Sequence, residues 1–266
     1  MCISLSINKA IYDHAYDYLN SLLPSDYDRQ NLDSYFYGES RNVSTLTDVY
    51  IRFLESAQNY QRMPNVIKFG WRKDLIKAFL YDFDYLKVQA LDPDTLYQAL
   101  RNAFSPNSID SKRNSWYKWS CSAIDSAKFI AQFRDYYDFD AFVNQFRYNT
   151  ATRMALPLMV STKNRGMGFA LVCDLLKELG YVDYPKPDVH IIDICEALGL
   201  SSRNQFDCFE AICKIAVDNS VTPYKVDKIM WLICSGKLYN DGINLGRHKD
   251  QFIESAKQML IEKGLM

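Results

Sequence analysis

Long apolar runs are absent from this 266-residue chain: no stretch of 18 consecutive apolar residues occurs, which excludes an ordinary membrane-spanning helix as an expectation. The N-terminus also lacks the basic start and apolar centre of a secretory signal, so the expected setting is the cytoplasm. Histidine is scarce, with His14, His190 and His248 far apart, and a zinc site has little to build on. The seven cysteines, Cys2, Cys121, Cys173, Cys195, Cys208, Cys213 and Cys234, are odd in number and mostly set in apolar stretches. They read as reduced core residues rather than a disulfide framework. A large excess of one charge is missing too, the net being −1, which argues against a strong nonspecific grip on nucleic acid. No internal repeat and no low-complexity linker is found.

What is present is material for a core: 48% of residues are hydrophobic, enough at this length to fold without disulfides. Apolar residues recur at spacings of three and four, and strand-like alternation is rare, so the chain reads as all-α. Ile11, Ala15, Tyr18, Leu19 and Leu22 form one stripe of a helix that ends at Pro24. The segment 27–44 reads as a loop or short helix, and Thr45 or Thr47 as the cap of a helix through Ala57. A helix is expected from Pro64 to about Leu80. Asp92-Pro93 opens another, which runs to Phe104. Further helices are expected near 124–136, 140–148, 191–198, 205–219 and 223–235, with Gly236 ending the last.

Charge is unevenly placed along the sequence. Basic residues gather at Arg62, Lys68, Arg72 and Lys73, at Lys112, Arg113 and Lys118, and at Lys163 and Arg165; acids are dense in 13–48 and 81–94. The segment Lys112 to Trp119 interleaves basic and aromatic residues beside a loop, a pattern suited to contact with DNA. Trp231, Tyr239, Phe169, Trp116 and Trp119 are flat rings that suit base stacking, although aromatics at helical spacing ordinarily fill a core.

Two short motifs stand out. Arg165-Gly166-Met167-Gly168 opens an apolar helix, where a Gly-x-Gly turn offers free backbone N–H groups to a phosphate. About twenty residues on, Pro187-Asp188-Val189-His190-Ile191 places an acid at the start of another helix. By the residues alone, a Gly-x-Gly before a helix is more often an ordinary turn, and an Asp after Pro is most often a helix N-cap.

In order and spacing, the two motifs resemble the helix-hairpin-helix glycosylase superfamily, whose members remove bases from DNA. Its hairpin reads Leu-Pro-Gly-Val-Gly, and its catalytic aspartate lies in an Asp-x-His run. Here both glycines stand and Leu-Pro is replaced by Asn164-Arg165, while Asp188-Val189-His190 keeps the acid core. The nearest branch is that of the 8-oxoguanine glycosylases, whose nucleophilic lysine falls at the position of Ala170. Lys163, ahead of the glycines, is the remaining route to a Schiff base. Some members hold an iron-sulfur cluster, whose tight four-cysteine spacing the gaps among Cys195, Cys208, Cys213 and Cys234 do not match.

The resemblance implies two helical subdomains flanking a cleft, with a helix-hairpin-helix motif. Residues 65–150 would form one subdomain, 1–64 would pack with the C-terminal helices, and 151–266 would carry the hairpin. It implies a monofunctional DNA glycosylase, without metal or cofactor, acting as a monomer on double-stranded DNA that contains an altered base, and nucleoid-associated if bacterial. Asp188 would stabilise the positive charge that builds on the sugar and orient water. Lys163, Arg165, Gly166, Met167, Gly168 and His190 would hold DNA. Gln58, Asn59, Tyr60 and Gln61 would fill the gap left by the flipped base. A noncatalytic DNA-binding protein that keeps the hairpin is the alternative, and a helical interaction protein using these residues only as turns and caps is a third.

Overall fold

A computed structural model describes residues 6–36 and 43–266, and Cys2 lies outside them. The described residues are mostly helical, in two compact units, 6–36 with 180–266 and 43–179. They divide between 36 and 43 and at 179/180, whereas the borders expected from the sequence stood at 64 and 150.

The chain starts with α1 (Ile7–Leu22) and α2 (Arg29–Ser34). The second unit follows as α3 (Leu46–Ala57), α4 (Met63–Ile67), α5 (Phe69–Ile76), a 3-10 stretch (Lys77–Phe83), α6 (Tyr85–Val88), α7 (Pro93–Phe104), α8 (Ser115–Ile130), α9 (Tyr136–Gln145), α10 (Thr150–Lys163) and α11 (Phe169–Glu178). The chain then completes the first unit with α12 (Val189–Ala197), α13 (Gln205–Asp218), α14 (Pro223–Ser235), a two-stranded hairpin of β1 (Lys237–Leu238) and β2 (Ile243–Asn244), and α15 (Lys249–Glu262).

Local chemistry explains most of these boundaries. Thr45 and Asp48 form a capping box at α3, and Asp92 accepts the Thr95 N–H ahead of Pro93 at α7, each satisfying N–H groups that a helix start leaves open. The single helix expected over 64–80 is instead broken. Lys68 adopts φ +51°, ending α4 and starting α5, a left-handed conformation that a continuous helix excludes. Helix α8 starts at Ser115, under an Asn114 cap, rather than near 124. Helix α15 and the small hairpin were not foreseen.

In the 43–179 unit α8 is the central element, buried from Trp119 to Ala127 and packed by α3, α6 and α7. Trp116 and Trp119 are fully buried, so these two rings fill the core rather than stack on a base. Phe169 is also in the core, 3% exposed. Phe53, Phe129, Phe133, Phe139 and Phe142 form a further aromatic cluster of edge-on and tilted pairs, the geometry that ring quadrupoles favour.

The other unit is built around α14, which α1, α12, α13 and α15 contact. Ile11, Ala15 and Leu19 of α1 are buried, as their stripe predicts. Gly236 ends α14 at φ +65°, and a Cβ there would lie 1.7 Å from the Gly246 carbonyl oxygen, so the close return of the hairpin requires glycine. The six described cysteines are all buried and form no disulfide. Cys208 donates to Cys195 across 3.7 Å, and this hydrogen bond together with burial pushes the Cys208 thiol far above its ordinary range.

Candidate functional site

The hairpin Asn164–Gly168 belongs to the 43–179 unit, joining α10 to α11, which pack on each other. Helix α8 holds it. Asn164 Nδ2 donates to Ser126 Oγ at 2.7 Å, and Ser122 Oγ donates to the Arg165 carbonyl. Asp125, whose side chain is 9% exposed, accepts the Arg165 N–H at 3.0 Å and its guanidinium at 2.8 and 2.9 Å. Such a bidentate, charge-assisted contact fixes both backbone and side chain. The expected phosphate contact Arg165 is thus already neutralised by Asp125, and its main-chain N–H is occupied as well.

The two glycines differ. Gly166 has φ +92°, and a Cβ there would meet Ser122 Oγ at 2.5 Å and the Lys118 carbonyl oxygen at 3.1 Å. Gly168 sits at φ −77° as the N-cap of α11, with open space where a Cβ would be and no side chain to cap the helix. Met167 is 1% exposed, and its N–H goes to the Asn164 carbonyl at 3.3 Å. The N–H groups of the exposed Gly166 and Gly168 have no partner among the described residues. Exposed Lys163, at the end of α10, has no ion pair there either. The hairpin therefore offers two open N–H groups, a helix N-terminus and one unpaired ammonium, which together suit an anion.

The segment 58–61 lies in the same unit and meets α8 at Lys118. Gln58 Oε1 accepts the Phe69 N–H at 2.9 Å. Asn59 Nδ2 donates to Asp174 at 3.3 Å. Tyr60, 39% exposed, lies under the Lys118 ammonium, 5.0 Å from the ring centre, a cation–π arrangement. Gln61 is exposed at φ +49°. Of the four expected gap-filling residues, Gln58 and Asn59 already hydrogen-bond within the protein, and Tyr60 and Gln61 face outward.

Asp188 belongs to the other unit. It caps α12, its Oδ1 accepting the N–H groups of His190 at 2.9 Å and Ile191 at 3.2 Å. Among the described residues no donor reaches Oδ2. The side chain is half-buried, and burial first, then the nearby Asp227 charge, raise its pKa against the opposing pull of Lys186, the Ile191 N–H and His190. Asp227, 1% exposed, accepts the Lys186 N–H at 3.0 Å and so ties the turn before Asp188 to α14. His190 Nδ1 is buried without a hydrogen-bond partner among the described residues. The result is a carboxylate with one oxygen fixed by a helix start and the other open, in surroundings that favour taking up a proton.

Sequence reasoning missed Asp125, Ser122 and Ser126, which hold the hairpin, and Asp227, which anchors the Asp188 turn. The first three share a face of α8 with Lys118 at helical spacing. A polar stripe of this kind ordinarily reads as a solvent face. Among the described residues no group of three His, Cys, Asp or Glu side chains is placed to hold a metal ion. No protein-family profile, curated protein or solved structure matches this chain.

Proposed function

We propose that the protein is a monofunctional DNA glycosylase of helix-hairpin-helix architecture, acting on duplex DNA that carries an altered base. The observation that carries this reading is Asp188: a carboxylate oriented by two backbone N–H groups, with one oxygen free and its pKa raised. The open N–H groups of Gly166 and Gly168, with Lys163 beside them, support the second half of the reading, a grip on backbone phosphate.

In this reading the hairpin holds the strand while the target nucleotide is rotated out of the stack, which costs a few kcal/mol. The bond from sugar C1′ to the base nitrogen breaks, its electron pair leaving with the base, and positive charge develops on the sugar. Asp188 stabilises that charge electrostatically. Water then adds to C1′ and gives its proton to the free Asp188 oxygen, a transfer that the raised pKa favours. With alanine at position 170, where the lysine of the 8-oxoguanine branch would stand, water is the nucleophile. His190 braces the acid by its backbone N–H.

The test separates catalysis from binding. Asp188→Asn keeps a capping oxygen and removes the charge. For a glycosylase, base release collapses while duplex affinity survives; if the variant behaves as the wild type in every assay, a noncatalytic binding protein replaces this reading.

A further inference from the structure

The four tryptophans have unequal environments. Trp116 and Trp119 are fully buried, whereas Trp71 is 93% exposed near the start of α5. Leu75, one turn later, is 61% exposed. Water contact with a whole indole costs free energy that burial would recover, on the order of 25 cal/mol per Å² of apolar surface. Trp71 sits at the rim of a shallow groove lined by Gln58, Pro64, Asn65, Lys68 and Gly70.

Charge indicates what fits this groove. From Ser56 to Lys73 the sequence contains no acid and four cations, Arg62, Lys68, Arg72 and Lys73. Arg72 is committed to the Val66 carbonyl and the Phe104 ring. Arg62, Lys68 and Lys73 have no ion pair among the described residues, and Arg62 and Lys68 are exposed. The groove is also tied to the hairpin within one unit. Gln58 bonds the Phe69 N–H, Tyr60 lies under Lys118, and Gly166 approaches the Lys118 carbonyl.

We infer that Trp71 is a base-stacking contact for nucleic acid, at the far end of a basic and aromatic strip that starts at the hairpin and passes through Lys118 and Tyr60. An indole stacks on any base, because every base presents a π face, while the cations track the phosphates. The bases such a strip takes are unpaired ones, as at a gap or a flipped position, since paired bases hide their faces. This inference rests on the DNA reading above and adds a contact that reading does not require.

The test uses the full chain, a short duplex with a one-nucleotide gap and the same duplex intact. Trp71→Ala is expected to weaken gapped-duplex binding about tenfold, the size of one stacking contact, and to narrow the preference for the gapped form. Trp71→Phe restores most of the affinity but loses the quenching of tryptophan fluorescence that DNA causes in the wild type. Equal affinity of the wild type and Trp71→Ala, with binding still lost in Gly168→Asp, overturns the inference and leaves the glycosylase reading standing. Self-association that Trp71→Ala abolishes without changing DNA binding assigns the surface to a second copy of the chain and overturns it too. Failure of the wild type to bind either duplex removes both.

Discussion

At the scale of single residues, the sign of the Asp188 shift has consequences for both rate and stability. A carboxyl whose folded pKa lies above its unfolded value favours the fold while protonated; that contribution is complete below the unfolded value and is lost as pH rises through the folded one. At neutral pH ionisation of Asp188 therefore costs stability relative to its protonated form, and Asp188→Asn, which keeps the capping oxygen, is expected to raise the melting temperature or leave it unchanged, the gain vanishing in acid. Thermal denaturation of both proteins from acid to neutral pH checks this. The acid limb of activity should rise through an apparent pKa above the ordinary 3.8, because the carboxylate is the working form. Asp227→Asn removes the like charge while its amide oxygen can still accept the Lys186 N–H, so that limb should move to lower pH. An unmoved limb would remove Asp227 from the account of Asp188.

At the scale of elements, the hairpin glycines separate fold from ligand. Gly166→Ala must accommodate both φ +92° and a Cβ 2.5 Å from Ser122 Oγ, and is expected to cost about 1–3 kcal/mol in denaturant unfolding. Gly168→Asp meets open space and supplies an N-cap that the helix lacks, so it should fold at least as stably as the wild type. Its carboxylate would cap the first turn of α11 and repel phosphate there, and duplex affinity should be lost. Trp119→Ala, which empties a fully buried site, should cost about 3–5 kcal/mol. Much of this scale was legible in the sequence. The α1 stripe, the Thr45 and Asp92 caps and the Gly236 stop follow from local chemistry, and each stands in the structure. The break at Lys68 was not legible, because a left-handed lysine has no signature in composition. Nor was the Asp125–Arg165 contact, which pairs residues forty apart and turns an apparent phosphate ligand into a structural cation.

At the scale of the whole molecule, a net charge of −1 conceals the acid-free run 56–73. If Arg62, Lys68, Lys118 and Lys163 each neutralise one phosphate, log affinity should fall with log salt at a slope of about −3.6. A slope near zero would contradict the basic strip. All-α character was readable from periodicity, and the described residues bear it out. The thiols complete this scale: burial pushes Cys234 up to about 12, and the six described cysteines should resist a thiol reagent until the protein unfolds.

The central claim concerns Asp188, and the most direct measurement is alkali-revealed strand cleavage on duplexes carrying a panel of altered bases, wild type against Asp188→Asn. Cleavage by the wild type alone, and only after alkali, is the expected result. Cleavage by both proteins, or by neither on any duplex they bind, would contradict it.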